Sequence, residues 1–246
     1  MTPATPLNPL APAAPLPAMA STAAAPVALA HGIPGTRDGF RLLYIDEWII
    51  VADKASGLLS VPGRGPDKQD SLGLRVAAEF ADALMVHRLD MDTSGLLVIA
   101  RGAEMHRRLS RMFRERRIDK EYVALVSGQP AATHGEIALP LAADWENRPR
   151  QRVDLVAGKP SLTRYRVANY DGASDVARLE LRPQTGRSHQ LRVHLQALGH
   201  PILGDALYAD ATAFAKAQRL CLHAARLAFT HPQHGQWLEF ASAAPF

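Results

Sequence analysis

The chain has 246 residues, 47% of them hydrophobic and 21% charged, the balance of a soluble globular protein long enough to bury its own core. A net charge of +4 favours a polyanionic partner without identifying it. The single cysteine, Cys221, excludes an intramolecular disulfide and fits a reducing compartment, so a cytoplasmic location is expected.

Residues 1–36 hold eight of the eighteen prolines and a dense run of alanines. Such a segment cannot sustain a helix or pack a core, and it is expected as a disordered Ala/Pro-rich extension. Prolines interrupt its apolar stretch and the first lysine or arginine is Arg37, so neither a signal peptide nor a membrane span is expected. Folded structure is expected from near Gly39. Leu42-Leu43-Tyr44-Ile45 and Trp48-Ile49-Ile50-Val51 flank Asp46-Glu47, a hairpin signal. Residues 57–66 read as a glycine- and proline-punctuated loop, 71–81 as a helix, and 95–100 as a short buried strand.

Met105, Leu109, Met112 and Phe113 recur at helical spacing and predict an amphipathic helix over 103–116. Its other face carries Arg107, Arg108, Arg111 and Arg114, read equally well as a solvated face or a phosphate track. Strands are predicted at 122–126, 162–168 and 176–182. A helix is expected over 189–198, with Ser188 as N-cap, a stripe of Leu191, Leu195 and Leu198, and a stop at Gly199 and Pro201. Cys221, between Leu220 and Leu222, reads as a buried, inert thiol. Strands mixed with scattered helices, without strict βαβ alternation, indicate an α+β fold.

The most informative stretch is His87-Arg88-Leu89-Asp90-Met91-Asp92-Thr93-Ser94-Gly95. It places a carboxylate on the loop entering a buried strand, a common place for reactive groups. Taken alone it is also what a turn-capping aspartate looks like. The pattern His-Arg-Leu-Asp-x-x-Thr-Ser-Gly, however, resembles the signature of the RluA family of pseudouridine synthases. Further blocks resemble that family in the same order: Lys120-Glu121-Tyr122, residues 185–194, residues 200–205, and 222–232. Residues 57–64 and 144–149 resemble the short, dual-specificity branch of the family. Asp53-Lys54-Ala55 departs from the family's Asn-Lys-Pro.

The resemblance implies a mixed, mostly antiparallel central sheet with flanking helices, the pseudouridine synthase fold. It also implies one catalytic domain over 37–246 without an S4 domain. The implied substrates are structured RNA, a 23S rRNA hairpin and the tRNA anticodon stem-loop, and no cofactor is implied. Asp90 takes the role of catalytic nucleophile or base, Arg192 that of the arginine paired with it, and Tyr122 that of the tyrosine stacked on the target uracil. Arg88 matches an arginine that fills the space left by a flipped nucleotide. His87, Thr93, Arg187, His189 and Gln190, in the matched blocks, are expected as further RNA contacts, with Arg148 and Arg150 beside Trp145. Neither a membrane nor an obligatory protein partner is expected, and the chain is expected to be a monomer.

The ten histidines raise a metal alternative. His189 and His194 are five apart, off the zinc spacing for a helix, and His231 and His234 have no carboxylate nearby in sequence, so no metal site is expected. A catalytically silent RNA-binding protein is the competing class, and the set Asp90, Tyr122 and Arg192 argues against it.

Overall fold

The computed structural model describes residues 35–246. They divide into two compact units, residues 35–123 with 219–246, and residues 124–218. The extension expected over 1–36 lies outside the described residues, except that Gly35 and Thr36 already belong to a strand.

In chain order the first unit begins with β1 (Gly35–Arg37), β2 (Phe40–Ile45), β3 (Ile49–Lys54), α1 (Leu72–Glu79), β4 (Ala83–Met85), β5 (Ser94–Arg101) and α2 (Gly102–Arg114). Strand β6 (Ile118–Ser127) starts in the first unit and ends in the second. The second unit continues with β7 (His134–Ile137), β8 (Leu141–Ala143), β9 (Gln151–Val153), β10 (Thr163–Asp171), β11 (Val176–Pro183), α3 (Gln190–Ala197) and α4 (Ala211–Ala215). The chain then returns to the first unit with β12 (Leu222–Thr230) and β13 (Trp237–Ala241).

In the first unit the strands lie in the order β1-β2-β3-β5-β12-β6, with β4 beside β5 and β13 beside β12. The β5–β12 pair is parallel, whereas β1–β2, β2–β3, β3–β5, β4–β5 and β12–β13 are antiparallel. In the second unit β11, β10 and β7 form an antiparallel run, and β8 pairs with β9. This is the α+β class expected, a mixed and mostly antiparallel sheet. Among the described residues no helix is long and apolar enough to cross a membrane.

The expected hairpin is β2–β3. Its turn is held by Asp46, whose Oδ1 accepts the N–H groups of Trp48 and Ile49 at 2.7 and 2.6 Å. That side-chain turn leaves Trp48 outside the strand. Strand β5 is buried on both faces because its alternate residues serve two cores. Leu97 and Ile99 join Leu72 and Val76 of α1, while Leu96, Val98 and Ala100 join Met105, Leu109 and Met112 of α2. Helix α1 starts at Ser71, whose Oγ accepts the Leu74 N–H at 3.4 Å. Helix α3 departs from its expected start: His189 is the N-cap, in a left-handed conformation with φ 53°, and no side chain caps the helix. It also lacks a one-sided stripe, since every residue from Gln190 to Leu195 is buried and Leu198 only partly so. Cys221 is buried, and burial pushes its thiol up against the pull of Arg219.

Candidate active site

The loop carrying Asp90 is anchored at both ends by the first unit's core. Leu89 is buried among Leu58, Leu97 and Ala224. At the other end Gly95, the second residue of β5, lies opposite Ala224 of the parallel strand β12. A Cβ on Gly95 would lie 2.3 Å from the Ala224 carbonyl oxygen, at a φ of +112°, so only glycine lets the two strands close here. Between these anchors the Thr93 N–H donates to the Asp90 carbonyl at 3.1 Å, making a tight turn with the Asp90 side chain partly exposed.

Tyr122 packs against the same core. Burial raises its phenol well above the ordinary tyrosine range, and the charge of Asp90 adds to the shift. The two side chains therefore share one electrostatic environment, and the tyrosine stays protonated. Arg88 is exposed. Thr93 is buried, and its Oγ1 has no hydrogen-bond partner among the described residues. A buried polar atom left so is costly and is often found where something else binds. His87 belongs to the frame: its Nε2 accepts the Val98 N–H at 3.0 Å and its ring stacks on Phe113 at 4.4 Å. Burial, then the charge of Lys120, lowers its pKa to about 3, so it is neutral.

In the second unit Arg192 is buried and bound to Asp205, with Nε donating to Oδ2 at 2.7 Å and Nη2 to Oδ1 at 2.6 Å. Asp205 was not assigned a role from sequence, although it ends a matched block. Its Oδ1 also accepts the Leu207 and Tyr208 N–H groups at 2.9 and 3.1 Å. The Arg192 guanidinium lies 5.0 Å from the Tyr208 ring centroid. The Tyr208 hydroxyl accepts the Gln151 N–H at 2.7 Å and meets His189 Nδ1 at 2.7 Å. Gln190 is only 4% exposed. Its Oε1 accepts from Thr185 Oγ1 and the Arg187 N–H, and its Nε2 donates to the Leu162 carbonyl and Thr163 Oγ1. That amide is spent on the fold, which corrects its expected place at an open RNA surface. Arg187 and Arg148 are exposed. Arg148 lies 3.9 Å over the ring of Trp145, which is itself 69% exposed, while Arg150 donates to the Leu207 carbonyl.

Two further groups are resolved by geometry. On α2, Arg107 and Arg108 pair with Glu104 at 2.6 and 3.0 Å, and Arg111 with Glu115 at 3.7 Å. Such exposed pairs contribute little stability and fit the solvated-face reading. The expectation that His231 and His234 lack a carboxylate is corrected: His231 Nε2 faces Asp46 Oδ2 at 3.1 Å, and the two histidine rings stack at 4.6 Å. His231 Nδ1 accepts the N–H groups of Gln233 and His234, so the ring proton sits on Nε2, toward Asp46. Tyr44 donates to that same Asp46 oxygen at 2.9 Å. One potential ligand atom from each of Asp46, His231 and His234 lies within 4.8 Å of the other two.

Comparison with known proteins agrees with this arrangement. A family model described as RNA pseudouridylate synthase matches residues 48–197. The dual-specificity RNA pseudouridine synthase RluA of Escherichia coli K12 is 51% identical over 205 residues, covering 83% of this chain and 93% of the relative. The protein of the same name from Pasteurella multocida is 48% identical, covering 89% of this chain and all of the relative. Among solved structures, human RNA pseudouridylate synthase domain containing 1 superposes with a TM-score of 0.71 at 29% identity, over 87% of each chain. By these matches, and by the Asp90 motif that the fold sets on a loop entering β5, the chain belongs to the RluA family of RNA pseudouridine synthases.

Proposed function

We propose that the enzyme converts specific uridines to pseudouridine in two structured RNAs, a 23S rRNA hairpin and the tRNA anticodon stem-loop. The dual specificity of its half-identical relatives supports this. In the reaction the C1′–N1 bond breaks, the uracil turns, and C1′ bonds to C5. The C5 hydrogen leaves to solvent and N1 gains a proton. Atoms and electrons balance without an oxidant or reductant, so the reaction requires no cofactor. Asp90 acts as nucleophile or base, and Tyr122 and Arg192 are assigned to the catalytic set from the family resemblance, although the contacts described for the Arg192 guanidinium are to Asp205.

The observation that carries this reading is that Leu89, next to Asp90, and the partly buried Tyr122 pack on one hydrophobic core. It brings the loop of the carboxylate and an aromatic side chain suited to a detached base to the same core. A base stacked inside a stem-loop must leave the stack before its C1′ is reachable. Exposed Arg88 is assigned that space-filling role, and Arg148 and Arg187 are assigned to phosphates. The enzyme is assigned to the cytoplasm, as a monomer with no obligatory protein partner.

Tritium release from RNA carrying C5-labelled uridine tests the activity, because only isomerisation frees that hydrogen. Release from both a tRNA anticodon stem-loop and a 23S hairpin transcript, with one mapped pseudouridine in each, is the expected result. Binding of either RNA without release would support the silent RNA-binding protein instead.

A further inference from the structure

Between β3 and α1 the chain makes a loop that the roles assigned above leave unused. Its first part, residues 57–64, is one of the two stretches resembling the dual-specificity branch, and Arg64 stands at its tip. The neck of the loop is tied to the first unit. The Leu72 N–H donates to the Leu59 carbonyl at 2.8 Å, and the Gly73 N–H to the Ser60 carbonyl at 3.1 Å. Ser60 Oγ accepts the Leu89 N–H at 3.0 Å and donates to the Leu89 carbonyl at 2.7 Å. The loop therefore departs beside the residue that precedes Asp90.

The tip is folded on itself although it is open to solvent. The Gly63 N–H donates to the Lys68 carbonyl at 2.6 Å, and the Lys68 N–H to the Gly65 carbonyl at 3.4 Å. Gln69 Nε2 donates to the carbonyls of Gly63 and Gly65, at 3.2 and 2.7 Å. Those two carbonyls flank Arg64. Gly65 has a φ of +95°, and a Cβ on Gly63 would lie 2.9 Å from the Lys68 Cβ, so both glycines are needed for the ring to close. Pro66 opens a single 3₁₀ turn that ends at Lys68, with its φ already set.

Arg64 itself is exposed, and its guanidinium has no ion-pair or hydrogen-bond partner among the described residues. The nearby acid Asp70 is taken by Arg75, each of its oxygens accepting one N–H at 2.7 Å. Arg64 and Lys68 then stand against Asp67 alone, leaving the tip with an excess of one positive charge. An arginine without a partner, on a backbone already held, offers its planar fork to a phosphate at little cost in ordering.

We propose that Arg64 is a phosphate contact for the substrate stem-loop, and that Gln69 is its positioning residue, holding the peptide groups on either side of it. The ligand is the sugar–phosphate backbone common to both RNAs, not a base edge. The proposal rests on reading the chain as an enzyme acting on structured RNA.

The test compares Arg64→Ala, Arg64→Lys, Gln69→Ala and the Arg64→Ala, Gln69→Ala double variant with the wild-type full chain. It measures the Kd of the tRNA anticodon stem-loop and of the 23S hairpin transcript over a range of salt, with kcat, KM and melting temperature. Arg64→Ala is expected to weaken both RNAs alike, by about five- to tenfold near roughly 0.1 M salt, and to lower the salt slope of log Kd by about one. The loss is expected in Kd and KM rather than in kcat. Arg64→Lys keeps the charge and is expected to restore the slope. Gln69→Ala is expected to weaken binding by about two- to tenfold. It is expected to add nothing to Arg64→Ala, because it acts only through that side chain.

An unchanged salt slope in folded Arg64→Ala would overturn the phosphate contact. So would a loss confined to one of the two RNAs, which marks base readout. Losses that multiply in the double variant would overturn the role of Gln69. If wild type binds RNA but releases no tritium from C5-labelled uridine, the functional reading fails while the salt slope still decides the contact. If wild type isomerises both RNAs and Arg64→Ala is indistinguishable from it, only the contact is wrong.

Discussion

Arg192 and Asp205 form a buried two-pronged ion pair, their side chains 5% and 0% exposed. Asp205 also accepts two backbone N–H groups, so the pair fixes the turn that follows α3. Removing one member of such a pair strands a buried charge, and the cost is typically about 3–5 kcal/mol. Arg192→Met is therefore expected to lower unfolding free energy by that order. Arg192→Met with Asp205→Asn is expected to lose less than the sum of the singles. Denaturant titration of the four proteins measures this, and strictly additive losses would show that the two residues are energetically independent.

Lys54 gives the site a pH dependence. Burial lowers its pKa to about 8. Asp92, then Asp90, oppose the shift, and Arg219 adds to it. Lys54 Nζ donates to the carbonyls of Ala55, Leu58 and Met91 at 2.8, 2.7 and 2.8 Å, and deprotonation turns three donors into two, so one of these carbonyls loses its partner. The kcat is expected to fall as pH rises through about 8, and this limb is expected to be missing in Lys54→Met. Stability moves the other way. Between about 8 and the ordinary value of 10.5 the unfolded chain holds a proton that the folded chain has lost. In that window the contribution of this group to stability rises with pH. Denaturation of wild type and Lys54→Met at pH 7 and 9 isolates the effect, and an alkaline limb unchanged in Lys54→Met would rule Lys54 out as its source.

His87 sets the acid limit. With its folded pKa near 3 and an ordinary value of 6.5, the unfolded chain binds a proton throughout that interval while the folded chain does not. Stability is expected to fall with decreasing pH there, by up to about 1.4 kcal/mol per pH unit from this one group. His87→Gln keeps an acceptor for the Val98 N–H and removes the titration, so its stability curve is expected to be flatter by about one proton. Parallel curves for the two proteins would contradict this assignment.

Trp145 and Arg148 offer an exposed stacked pair suited to an unpaired base and its phosphate. Base–aromatic stacking is typically worth about 1–3 kcal/mol. Trp145→Ala is therefore expected to weaken stem-loop binding by roughly five- to a hundredfold, with kcat at saturating RNA within about twofold. Unchanged affinity, measured at fixed salt, would remove this surface from the RNA path.

Local patterns were legible where local physics decides. The β2–β3 hairpin followed from two β-rich runs around Asp46, and the Asp46 turn supplies the mechanism. Helix α2 followed from Met105, Leu109 and Met112, all three of which face the core. Pairings between residues far apart in the chain were not legible. Asp46 and His231 lie at opposite ends of the described sequence and meet only because the last strands return to the first unit. Ser188 looked like a cap, yet the chain turns through His189 in a left-handed conformation, which no composition rule reports. Gln190 stood in a motif and was read as an RNA contact, whereas its four hydrogen bonds build the frame. The motif located Asp90, but the Lys54 and Ser60 contacts that hold its neighbours needed coordinates.

Asp90 is assigned the chemistry of the isomerisation. Asp90→Asn keeps the side chain's shape and removes its ability to act as nucleophile or base. Tritium release from C5-labelled anticodon stem-loop RNA by the purified variant is the most direct measurement, with RNA binding checked in the same preparation. No release above the enzyme-free rate is expected, with a Kd within about threefold of wild type, since binding rests on other groups. Sustained release by Asp90→Asn, with pseudouridine mapped at the wild-type position, would contradict it.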